Sequence, residues 1–122
     1  MTSRSMIAGV VLNLAAGALL ASALPASAAD TLTGEIVDMA CYVAHPATGR
    51  GSSHRKCADT CLKKGMPMGL LTEDKQLYLL LEDHDNPKPY QQLKEKAAET
   101  VTVEGEKKSE GGVQGLVVND VK

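Results

Sequence analysis

The chain has 122 residues and a formal net charge of −2, with three tyrosines and neither phenylalanine nor tryptophan. Without a basic face or stacking aromatics, a nucleic-acid partner is excluded and an anionic membrane surface is disfavoured. Three cysteines cannot all pair within one chain, so at least one sulfur has another use.

Residues 1–28 read as a secretory signal peptide. Arg4 supplies a positive n-region, residues 6–24 are apolar apart from Asn13 and small residues, and Ala26 and Ala28 form an A-x-A-like cleavage site. About 19 apolar residues could nearly span a bilayer. Small residues dominate the end of the stretch, however, and no basic stop-transfer cluster follows, so cleavage rather than a stable membrane anchor is expected. No cysteine near the site offers a lipid attachment point. The expected product is a periplasmic or secreted single domain over residues 29–122, in which twelve basic and fifteen acidic residues leave a formal charge of −3. A core of Leu, Val, Ile and Met is marginal at this size and calls for an extra staple. Export places the thiols where disulfides are permitted.

Residues 31–38 are rich in β-formers, with Gly34 expected as a bulge or bend. The polar stretch 45–53 reads as a loop. Ser52 or Ser53 offers an N-cap for a short helix through Lys64, with Gly65 at the C′ position and Pro67 forbidding continuation. Residues 68–83 read as two strands around the turn Thr72-Glu73-Asp74-Lys75, and 84–89 as a loop. Residues 90–99 are strong helix formers with Leu93 and Ala97 on one face. Residues 100–106 alternate as a strand with Val101 and Val103 inward, 107–112 turn, and 113–121 close as a last strand. The fold class is therefore mainly β: a five-stranded, OB-fold-like barrel with a helix between strands 3 and 4 and a Cys-bearing helix inserted after strand 1, at residues 39–67. Closure also removes exposed edges.

On the inserted helix, His54, Cys57 and Cys61 stand at i, i+3 and i+7 and share a face. Cys41, directly after the first strand, could be brought opposite them. Three sulfurs and an imidazole form a Cys3His set suited to zinc, and thiolates with imidazole also suit copper(I). Met39, Met66 and Met68 flank the cluster, adding thioether sulfur or, more ordinarily, core filling. Cys57 and Cys61 sit four apart, where Cβ atoms are about 5–6 Å from each other. A disulfide needs about 3.5–4.5 Å. A metal between the two sulfurs needs no distortion of the helix, whereas a bridge does. Two alternatives stand beside the metal reading. Cys41 could pair with Cys57 or Cys61 in a structural disulfide of a non-enzymatic periplasmic interaction module. In a thiol-redox partner protein, His54, Arg55 and Lys56 would lower the Cys57 pKa. His45 is a weaker substitute ligand. His84 reads as solvated, and Glu82, Asp83 and Asp85 lack EF-hand spacing. A closed four-ligand set leaves no open coordination position, so no catalysis is expected. The expected partners are the metal ion and another periplasmic protein.

The stretches "TGEIVDMACY", "HRKCADTCLKKGMPMGLLT" and "LYLLLED" resemble an uncharacterised group of small exported bacterial OB-fold-like proteins with a Cys…His-x2-Cys-x3-Cys signature. The resemblance covers most of residues 29–122. It implies fold and export rather than activity, and it sets Cys41, His54, Cys57 and Cys61 on the group's signature positions.

Overall fold

Strand β1 (Asp30–Asp38) belongs to two ladders at once. Its first half runs antiparallel to β4 (Thr100–Glu110), from Asp30↔Gly105 to Glu35↔Thr100. Its second half pairs with β2 (Met68–Thr72), from Gly34↔Thr72 to Asp38↔Met68. In this computed structural model, which describes residues 28–122, the expected signal over 1–28 lies outside the described residues but for its last position. β2 pairs antiparallel with β3 (Leu77–Glu82), β3 pairs parallel with β5 (Val113–Val121), and β5 returns antiparallel to β4. The order β1-β2-β3-β5-β4 closes into the five-stranded barrel expected from the sequence. No helix of the described residues is long and apolar enough to cross a membrane.

The core is aliphatic. Ile36, Leu70, Leu80, Val103, Leu116 and Val118 fill the barrel, each at most 2 % exposed. Helix α2 (Arg55–Lys63) adds Ala58 and Leu62 to the same cluster, and helix α3 (Lys88–Leu93), with the turn after it, adds Leu93 and Ala97. Helix α1 (Met39–Ala44) joins β1 directly. It was not foreseen in the sequence.

Several local expectations are corrected. Gly34 lies in regular register with both neighbours, and the ladder irregularity falls at Glu104/Gly105. Glycine is needed at 34 for closeness, since a Cβ there would meet the Leu71 carbonyl oxygen at 2.6 Å. Residues 107–110 extend β4 instead of turning. Only Gly111 and Gly112, at φ +57° and +80°, form the hairpin link between Glu110 and Val113, as a tight two-residue turn requires. Ser52 and Ser53 do not cap α2. They form a 3-10 turn, Ser52–His54, which feeds the helix with backbone bonds. At the other end Gly65 (φ +89°) donates to the Leu62 carbonyl and Met66 to that of Cys61, the paired bonds of a Schellman stop.

The helix expected over 90–99 ends at Leu93. Two backbone bonds override the propensity of the residues that follow: Ala98 N–H donates to Ile36 O at 2.9 Å, and Ile36 N–H to Glu99 O at 3.0 Å. Ala98 adopts φ +59° to make the connection.

Candidate metal centre

The centre begins at the end of β1. Asp38 is the N-cap of α1, and its Oδ1 accepts the Ala40 N–H at 3.0 Å. The cap turns the chain at once, which sets Cys41 in the first turn of the helix rather than in a loop. His45 N–H then donates to Cys41 O at 2.8 Å, and the returning loop packs so closely that a Cβ on Gly49 would meet Cys41 O at 2.5 Å. The Gly51 N–H is taken by the Glu35 carboxylate, tying the loop back to β1. At the far end, Met39 N–H donates to Pro67 O at 3.0 Å, so the start of α1 is fastened to the exit of α2.

Helix α2 is held by Ala58 and Leu62, which point into the core. Cys57 and Cys61 each precede one of these anchors by one position, about 100° around the helix, and so project from its flank. There they meet α1. Among the described residues, two groups of potential metal donors form: Cys41 with His54 and Cys57, and Asp38 with Cys41 and Cys61. Within each group every ligand atom lies within 4.8 Å of the others. A tetrahedral ion with bonds of about 2.3 Å has donor–donor edges of about 3.8 Å, so small rotamer changes would close either triad.

The sequence-derived foursome is thus brought together around Cys41, as two overlapping triads and not as one tetrahedron. His54 and Cys61 fall in different triads. His45, the C-cap of α1, is exposed and joins neither. His84 is exposed, and Glu82, Asp83 and Asp85 form no donor group among the described residues. Met68 is buried in the core and Met66 is 40 % exposed. Sequence reasoning missed Asp38. Its signal was a capping residue type three positions before a cysteine, which has meaning only once a helix is expected there.

All three cysteines are free thiols. Cys57 is exposed, and Cys41 and Cys61 are half-buried. Ser53, Lys56, Cys57, Thr60 and Cys61 line a shallow depression open to solvent. Asp38 is fully buried. Two buried polar atoms of the centre lack any hydrogen-bond partner: Asp38 Oδ2 and His54 Nε2. The Cys41 thiol is pushed up from 9.0 to about 12, first by its polar contact with Asp38, then by burial, then by the charges of Asp38 and Cys57. Cys61 is displaced upward by the same causes in the same order. Ionising either thiol beside Asp38 would set negative charge on negative charge, which a cation among the donors would relieve.

No family model matches the chain, and neither a curated protein nor a solved structure does.

Proposed function

We propose that this chain is a small exported metal-binding protein without catalytic activity, which holds its ion in the cluster of Cys41, His54, Cys57 and Cys61. The observation that carries the reading is the shared position of Cys41, whose sulfur lies within 4.8 Å of donors from both triads. Zinc and copper(I) are the two ions such a donor set suits. Zinc would brace the insertion on the barrel, and copper(I) would be carried to a periplasmic partner. The resemblance to small exported OB-like proteins supports export, as does the signal-like stretch over residues 1–28. The exposure of Cys57 supports exchange of the ion with solvent or a partner.

Native mass spectrometry and thiol counting on the protein as purified from the periplasm without reductant, with and without chelator, test the reading. The expected result is a bound ion that chelator removes, together with three thiols that become reactive on its removal. His54→Ala should weaken metal binding while the barrel still melts cooperatively. One reactive thiol per chain, unchanged by chelator, would instead identify a disulfide from Cys41 to Cys57 or Cys61 and sink the metal reading.

A further inference from the structure

Asp38 is the one charged side chain buried among the described residues, at 0 % exposure. Taking a carboxylate out of water costs several kcal/mol unless its oxygens are paired. Only one oxygen is. Oδ1 accepts the Ala40 N–H, while Oδ2 is buried without a hydrogen bond of good geometry, and the carboxylate's other polar contacts are with the sulfurs of Cys41 and Cys61. None of the ion pairs among the described residues involves Asp38. Capping α1 does not account for the charge, because a neutral Asn or Ser caps a helix about as well. The unpaired carboxylate instead belongs to a donor triad with the sulfurs of Cys41 and Cys61.

We propose that Asp38 is a further metal ligand, through Oδ2, and that its oxygen selects a divalent ion of the zinc type over copper(I). This rests on the metal-binding reading above and names its ion. Two considerations lead there. Zinc accepts carboxylate oxygen at about 2.0–2.2 Å alongside thiolate and imidazole. Copper(I) is soft, is satisfied by sulfur, and gains little from a hard oxygen. Charge points the same way. With Cys41 and Cys61 as thiolates, the inner triad carries three negative charges next to a fully buried group. A monovalent ion leaves two of them uncompensated, and a divalent ion leaves one.

The test is a pair of competition titrations on the reduced, metal-free protein, using zinc(II) and copper(I) alone as probes against chromophoric chelators at one pH. Asp38→Asn keeps an oxygen for the Ala40 N–H and removes the anionic ligand. It is expected to lower zinc affinity by at least about 10- to 100-fold, the loss that mutating even an outer-shell partner of a metal ligand produces, and to leave copper(I) affinity unchanged. Asp38→Ser, a second neutral cap, should behave alike, and metal-free melting curves of both check the fold. In the wild type itself, the carboxylate infrared stretch should shift with one equivalent of zinc and stay in place with copper(I). This readout holds even if neither variant folds. Zinc affinity that survives both substitutions, an equal loss for both ions, or a carboxylate stretch that zinc does not move would overturn the assignment of Asp38. A wild type that binds neither ion would overturn the metal-binding reading as well.

Discussion

Binding of an ion at Cys41 and Cys61 must release protons, and the number released follows from the structure. Cys41 sits at about 12 and Cys61 is displaced in the same direction, so at neutral pH both are thiols in the metal-free protein. A thiol becomes a metal ligand only as the thiolate. Each proton displaced makes apparent affinity rise about tenfold per pH unit, because a unit of pKa or pH is a factor of ten in the equilibrium. Two thiols therefore predict a rise of about 100-fold per unit between pH 6 and 8. The perturbation is pH alone, and the assay is a zinc competition titration at pH 6, 7 and 8. The same titration in two buffers of different ionisation enthalpy, followed by calorimetry, counts the protons directly. The expected count is at least two. An affinity that rises less than tenfold per pH unit would refute the reasoning, since neither Cys41 nor Cys61 would then be changing its protonation on binding.

Further outcomes follow from the same geometry. A thiol whose folded-state pKa is raised contributes stability that is whole below its unfolded value near 9.0 and is lost as pH climbs toward about 12. The metal-free protein should therefore melt at progressively lower temperature across that window, and Cys41→Ser should flatten the trend. Lys63, Tyr90 and Lys122, also displaced upward, titrate nearby, so only the difference between wild type and variant is diagnostic. Leu62→Ala, at a fully buried anchor of α2, should cost about 2–5 kcal/mol in urea unfolding. A loss under 1 kcal/mol would mean that α2 is not seated in the core. Gly34→Ala pushes a Cβ to 2.6 Å from the Leu71 carbonyl oxygen, and it should lower stability by about 1–3 kcal/mol as the β1–β2 ladder gives way. An unchanged melting temperature would contradict that packing.

The barrel was legible because its strands carry their own punctuation. Apolar runs at residues 68–72 and 77–82 flank a polar turn, and Gly111–Gly112 separates two β-rich segments. Cys57 and Cys61 were legible for a similar reason, since residues four apart on one helix lie on one side of it, whereas His54 precedes α2 in the 3-10 turn and joins a different triad from Cys61. Other features depend on partners far away in the chain. Lys94 to Glu99 are good helix formers, and only the bonds to Ile36 reveal why they do not continue α3. Six residues are too few for α1 to be stable alone. It exists because Asp38 caps it and because Pro67 and Gly49 hold its ends against the neighbouring chain. Asp38 was missed along with the helix it begins.

The facing of Asp38 and Met68 across the β1–β2 ladder has one more consequence. Slipping that pairing by a single residue would turn the carboxylate away from the sulfurs and every other side chain of the strand with it. A cation gripping strand end and helices together would thus act as a locking pin, favouring one alignment of the first ladder and discarding its neighbours.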